Sequence, residues 1–169
     1  VMAAPSYTTD GTLGVRLTDT TATTAEQAFT IGKRVTCDGN SVFMYTRALS
    51  TVAQYDVLSL TVDSTVAPLT IANASANGQA VAFAQTAIAS GSFGWVCLEG
   101  DKIRANVVAA SALGAPLFAT ATAGSVDNAT GTSGLGYIAG LITLSSSTSA
   151  SALTCIAHNC HVGWFGNVA

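Results

Sequence analysis

Four side chains of types that bind metal ions lie within seven residues near the C-terminal end of the chain, namely Cys155, His158, Cys160 and His161. Zinc sites usually join two ligand-bearing turns that a longer spacer separates. The run from Leu153 to His158 has the pattern of a β-strand, in which alternate side chains point to opposite faces. Strict alternation places Cys155 and His161 on one face. It places His158 and Cys160 on the other, so we predict no metal site. A histidine cluster at an oligomer axis is the alternative.

Groups for acid–base or nucleophilic catalysis are sparse. The chain has only two histidines, and no Gly-x-Ser-x-Gly nucleophile elbow occurs. The nine acidic residues are scattered, and Glu99 and Asp101 flank Gly100 in what we interpret as a solvated hairpin turn. Neither a calcium-binding loop nor a phosphate-binding glycine motif is present. We therefore predict no enzymatic activity, no catalytic residues and no cofactor.

The cysteines and the aromatic side chains have a structural and a functional interpretation. The four cysteines allow three disulfide connectivities, but a chain of 169 residues can fold without a disulfide scaffold, so we predict small buried free thiols. The aromatic residues Phe93, Trp95, Trp164 and Phe165 could stack on sugars or bases. We predict that they are core or interface anchors instead, which is the commoner use of such residues.

Charge is the most unusual feature of the composition. Ordinary soluble domains carry about 25% charged residues, whereas this chain carries 9%, with 49% apolar residues and a formal net charge of −3. A surface with so little charge is poorly protected against self-association, which favours a subunit of a larger assembly. Of the six basic residues only Lys33 and Arg34 are adjacent, so nucleic-acid binding is not expected.

The best apolar run, Leu135 to Leu144, contains glycines and is shorter than the roughly 20 residues of a spanning helix.

The elements that position these residues follow a β-strand pattern. Apolar and polar residues alternate from Phe29 to Cys37 and again from Ser41 to Arg47, and Asp38-Gly39 between them indicates a hairpin. Further short runs with turn residues between them continue to the end, which is typical of a barrel or sandwich. We predict an all-β fold, a small β-barrel or a β-tulip or sandwich-like domain over residues 29–169. Residues 1–28, rich in Thr and Ala, are predicted to form an extended N-terminal arm.

Three segments carry a resemblance to a known family: SGSFGWVCLEG at residues 90–100, AASALGAPLFAT at 109–120 and GYIAGL at 136–141. Together with the opening hairpin they resemble the small capsid decoration, or cement, proteins of tailed bacteriophages, over about residues 29–145. The resemblance implies a β-barrel or tulip-like domain that forms a homotrimer on the outside of the capsid. It also implies that the major capsid protein is the partner, that the arm adds a strand to it, and that the oligomer stabilises the shell by bridging capsomers. The location would be the virion surface, after assembly in the cytoplasm of the bacterial host.

Two other classes of protein share the composition. A secreted fimbrial or adhesin-type subunit is also low in charge and rich in Thr, and it would contain disulfides. A carbohydrate-binding module on a fibre would need a pocket in which aromatic or carboxylate side chains converge. For all these classes we expect neither a membrane nor a nucleic acid as a partner.

Overall fold

The computed structural model describes residues 20–21, 27–37, 40–74, 78–128 and 135–164, without the side chains at 135 and 164. Within these residues every regular element is a β-strand, which confirms the predicted all-β fold. No helix in this part of the chain is long and apolar enough to cross a membrane. The strands are β1 (Arg34–Cys37), β2 (Ser41–Ala48), β3 (Val57–Leu60), β4 (Thr65–Pro68), β5 (Val81–Phe83), β6 (Phe93–Val107), β7 (Pro116–Ala119), β8 (Val126–Asp127), β9 (Leu135–Thr143) and β10 (Ser151–Trp164).

Five of the strands form a closed barrel, as the alternating pattern predicts. They pair in the order β2, β4, β3, β5 and β6, and β6 pairs with β2 to close the ring. All these pairings are antiparallel except the short one between β2 and β4. Every second side chain of these strands points inward, and the barrel is filled by one apolar cluster. That cluster comprises Met44, Ala48, Val52, Leu58, Leu60, Val66, Ala82, Ala84, Ile88, Val96 and Leu98.

The longest of the described strands, β6, belongs to a second ring as well. Its first half pairs with β2, and its second half pairs with β10, which continues through β9, β7 and β8 back to β6. The hairpin turn predicted at Glu99-Gly100-Asp101 is therefore wrong, because the strand runs straight through it. Gly100 allows a close approach, since a Cβ there would lie 2.9 Å from the Ser41 Oγ atom. Gly100 therefore lets β6 pass close to Ser41 at the point where the strand leaves the first ring and enters the second.

The space between the first barrel and the second ring holds the larger apolar core. Outward-facing side chains of the barrel, such as Tyr45 and Trp95, meet inward-facing side chains of the second ring, such as Ile103 and Leu141. All four are at most 1% exposed. Because one continuous strand contributes to both layers, the two rings form a single folding unit.

The predicted first hairpin is present. Cys37 pairs with Ser41 at the end of the antiparallel β1–β2 ladder, which leaves three residues for the connection. Of these, Asn40 has a positive φ of 59°, as loops of this length often require, while Asp38-Gly39 lies outside the described residues. The first strand begins at Arg34, later than the alternation from Phe29 predicts, because Gly32 turns the chain with a φ of 83°.

Most of the predicted arm lies outside the described residues. The exceptions are Thr20, Thr21, Gln27 and Ala28. Thr21 forms two backbone hydrogen bonds with Phe93, of 3.0 and 2.8 Å, and its hydroxyl lies 2.9 Å from the Tyr45 hydroxyl. This part of residues 1–28 therefore contacts the body of its own chain. The boundary between an arm and a domain at residue 29 stays a prediction.

Candidate functional site

The cysteine and histidine cluster of the sequence lies on β10, but not with the predicted faces. Asn159 has a positive φ of 47°, and β10 bulges between Ala157 and His161. The bulge shifts the alternation by one position, so that Cys155 and Cys160 both point into the core, at 0% and 6% exposure. The prediction that Cys155 shares a face with His161 assumed a regular strand and is wrong for this reason.

His158 points away from the two thiols and pairs with a carboxylate. Its Nε2 atom lies 2.9 Å from the Oδ1 atom of Asp101 on the neighbouring β6, and both side chains are about half exposed. At the surface such a pair contributes at most about 1 kcal/mol to stability. Within the described residues, no three His, Cys, Asp or Glu side chains come together as a metal site requires.

None of the four cysteines forms a disulfide, and all four are buried in the larger core. Burial raises the pKa of Cys155 and of Cys160 to about 12. Burial also raises the pKa of Cys97, although its thiol donates a hydrogen bond to the Glu99 carbonyl oxygen at 3.1 Å. The reactive thiolate form is therefore rare at neutral pH. The predicted role as small buried side chains agrees with this arrangement.

The buried carboxyl of Asp56 lies at a junction between the two rings. Its Oδ2 atom accepts a hydrogen bond from the Ala53 amide at 2.8 Å, and its Oδ1 atom accepts one from Asn106 Nδ2 at 3.3 Å. Burial raises the pKa of this carboxyl, and the two hydrogen bonds oppose the shift only in part. Gly124, with a φ of 75°, packs directly against it. The arrangement serves to join the Ala53–Asp56 turn to β6.

A second polar group lies beside Asp56 on the surface of β6. The Arg104 guanidinium stacks over the ring of Tyr55 at 4.5 Å from its centroid and donates a hydrogen bond of 2.8 Å to the Ala152 carbonyl oxygen. Gln85 exchanges hydrogen bonds with the Arg104 backbone at 3.1 and 3.2 Å. Tyr55 has a positive φ of 71°, a strained conformation that these contacts hold in place.

An open groove of about 580 Å³ lies at one end of the first barrel. Its walls are mostly apolar, and Arg34 is among the residues that line it. Val62, in the β3–β4 turn, also lines the groove and is fully exposed. Among the lining residues that the structure describes, Arg34 carries the one charge. Its lining residues are Arg34, Met44, Leu60, Thr61, Val62, Ser64, Gly78, Gln79 and Ala80.

A row of apolar side chains crosses the outer face of β7, β9 and β10. Ile142 pairs directly with Pro116 on one side and with Ile156 on the other, and paired residues share a face. Leu144 follows directly after the end of β9, two residues beyond Ile142, and is exposed as well. Ile142 and Leu144 are 47% and 40% exposed, which is unusual for large apolar residues of a sheet. This row is a second surface suited to contact another protein.

The aromatic side chains do not form a sugar-binding platform in the described part of the chain. Phe93 and Trp95 are each 1% exposed, and they pack with Phe29 and Tyr45 in the larger core. This confirms that Phe93 and Trp95 are core anchors. The Trp164 side chain and Phe165 lie outside the described residues.

Comparison with solved structures shows a related architecture in a bacteriophage protein. The chain is similar to the N base of the head fiber gp8.5 of bacteriophage phi29, with a TM-score of 0.51 and 12% sequence identity. The similarity covers 72% of this chain and 97% of the phage chain. No family model and no curated protein matches the sequence. At this identity the comparison shows that the two proteins share a fold.

Proposed function

We propose that this protein is a structural component of a tailed-bacteriophage virion, which binds the outside of the capsid as a homo-oligomer. The observation that carries the proposal is the shared fold with the base of a phage head fiber, over nearly the whole length of that base. The sequence resemblance to decoration proteins points in the same direction.

The surface supports a role in assembly rather than in chemistry. The charged fraction of 9% provides little electrostatic repulsion between copies. The perturbed carboxyl of Asp56 is buried against Gly124, and the thiols with raised pKa lie in the core. We propose accordingly that the protein is not an enzyme.

The apolar row of Pro116, Ile142, Leu144 and Ile156 supports the oligomeric part of the proposal. We propose that copies associate through this face, with a trimer as the state that the decoration proteins suggest. Binding of an oligomer to neighbouring capsomers stabilises the expanded shell, because a ligand that binds only the assembled state shifts the equilibrium towards it. The major capsid protein is the partner in this proposal.

Binding to phage heads provides the test. Heads purified from a phage mutant that lacks this protein would be incubated with the purified chain and sedimented. We expect saturable co-sedimentation and a higher temperature of head disruption in the presence of the chain. The same chain unfolded in urea and diluted directly into the assay is the control for trapping of unfolded protein. Failure of the folded chain to bind heads would contradict the proposal.

The two alternatives have less support. A secreted fimbrial subunit should contain disulfides, whereas none of the four cysteines forms one in the structure. A carbohydrate-binding module needs accessible aromatic rings, whereas Phe93 and Trp95 are buried. The capsid-binding proposal requires neither feature.

A further inference from the structure

Strand β1 differs from every other described strand in its pairing. Each of the others bonds to at least two strands, because each belongs to one of the two closed rings. Strand β1 pairs only with β2, and among the described residues nothing pairs with its other side. It is therefore the single open sheet edge in this part of the chain, and an open edge is a template for another strand.

The backbone groups on this open edge can be assigned from the ladder. Tyr45 donates its amide hydrogen to the Lys33 carbonyl oxygen at 2.8 Å, and Arg34 pairs with Met44. In an antiparallel ladder, hydrogen-bonded and non-hydrogen-bonded pairs alternate. Arg34 is therefore in a non-hydrogen-bonded pair, as is Thr36. The amide and carbonyl groups of Arg34 and Thr36 point away from β2, towards the open edge.

The side chains around this edge define what could bind there. Lys33 and Arg34, two of the six basic residues of the chain, are both exposed. Arg34 lines the apolar groove together with Met44, with which it pairs across the β1–β2 ladder. Val35 points to the opposite face and is 6% exposed. An incoming strand would thus meet positive charge and an apolar groove on one face.

We propose that the open edge of β1 accepts an extended acidic segment of a capsid protein as an added strand. The inference rests on the proposed function, because it specifies the contact through which the protein binds the capsid. Backbone hydrogen bonds to Arg34 and Thr36 supply affinity, as in other cases of strand addition. A carboxylate of the segment neutralises Arg34, and an apolar side chain two residues away enters the groove. In this proposal the capsid protein supplies the added strand and this chain accepts it. The resemblance implies the opposite arrangement, in which the arm of this chain adds a strand to the capsid protein.

A second copy of this chain is a poorer occupant of the edge. Pairing of two β1 strands would bring Lys33 and Arg34 of each copy onto one short ladder. Like charges at such distances destabilise a strand pair. An acidic segment turns the same side chains into attractive partners, so the charge of the edge favours a different protein.

The substitution Thr36→Pro tests the edge directly. Proline removes the amide hydrogen that points to the open edge, and an edge strand tolerates it there because β2 does not use that hydrogen. Thr36→Val is the matched control, since it keeps the amide. In co-sedimentation with heads that lack this protein, we expect Thr36→Pro to bind about tenfold more weakly than wild type. We expect Thr36→Val to bind as wild type does.

A charge reversal gives an independent readout if Thr36→Pro does not fold. Arg34→Glu should weaken head binding, and the loss should shrink as ionic strength rises. Arg47→Glu, which makes the same change on an exposed position of β2, should bind as wild type does.

Equal binding by wild type, Thr36→Pro and Arg34→Glu would overturn the inference and leave the proposed function standing. A smaller oligomer for Thr36→Pro in light scattering would also overturn it, since the edge would then join copies of this chain. Absence of head binding by wild type would overturn the proposed function itself.

Discussion

Gly140 of β9 packs directly against the carbonyl oxygen of His158 on β10, with a positive φ of 79°. The contact lies where both strands leave regular pairing, beside the bulge at Asn159. A side chain at position 140 would collide with backbone, which cannot move aside as a flexible side chain can. The glycine is therefore a requirement for the bulge that directs Cys155 and Cys160 into the core.

Replacement of this glycine should destabilise the protein more than its φ alone explains. Gly114 has a similar φ of 74° with open space around it, so Gly114→Ala measures the conformational cost alone, about 1 kcal/mol. Gly140→Ala adds the collision with His158, and we expect it to lower the free energy of unfolding by a further 2 kcal/mol or so. Urea denaturation of both variants provides the measurement. Equal losses would show that the contact with His158 carries no strain.

Local pattern was sufficient to predict the β-strand class and the first hairpin, but not the pairing of strands that are far apart in sequence. The hairpin of β1 and β2 follows from alternation around Asp38-Gly39, because its contacts are close in sequence. The closure of the rings depends on contacts such as that between β6 and β10, far apart in sequence, which no local signal encodes. Gly100 shows the consequence: between two acidic residues it has the pattern of a turn, yet its role is to let β6 pass close to Ser41.

The candidate surfaces were harder to predict than the fold. Ile142 and Leu144 occur in an apolar run that is typical of a buried strand, and only the register with Pro116 and Ile156 reveals that they face outward. Asn159 is a residue type that accepts a positive φ, which was the one available sign of the β10 bulge. The open edge of β1 is a property of the topology, so it could be recognised only after the pairing of the other strands was known.

The pH dependence of stability should report the buried carboxyl of Asp56. Its pKa in the folded protein is raised above the ordinary value of 3.8 by burial, so the folded state binds this proton more tightly than the unfolded state does. Its contribution to stability is therefore greatest below pH 3.8 and is lost as the pH rises through the raised folded-state pKa. Asp56→Asn cannot ionise. We expect its stability relative to wild type to increase as the pH rises from about 3 to 6.

The comparison of wild type with Asp56→Asn needs a control at an exposed carboxyl. Asp63 lies exposed in the β3–β4 turn, so Asp63→Asn removes one charge without removing a buried carboxyl. Urea denaturation of the three proteins across the pH range separates the two effects. Parallel curves for wild type and Asp56→Asn would contradict the prediction.

The cysteines should be inaccessible to thiol reagents in the folded protein. All four are buried, and burial raises the pKa of Cys155 and Cys160 to about 12, so both access and thiolate formation are suppressed. We expect a chromogenic disulfide reagent to react with four thiols in denaturant and with almost none in native buffer. Ser149→Cys, at an exposed position of the loop before β10, should add one thiol that reacts at once. Fewer than four thiols in denaturant without reductant would reveal a disulfide and favour the secreted alternative.

The apolar row on the outer face of β9 should control self-association. An aspartate at position 142 would place a charge between Pro116 and Ile156, and its desolvation in an interface would weaken association about tenfold or more. Val62→Asp is the matched control, because Val62 is fully exposed on a turn outside this row. In size-exclusion chromatography with light scattering, we expect the mass of Ile142→Asp to fall towards the 16.9 kDa monomer, under conditions where wild type and Val62→Asp stay associated. An unchanged mass for folded Ile142→Asp would exclude this row as the interface, and a monomeric wild type would contradict the oligomer itself.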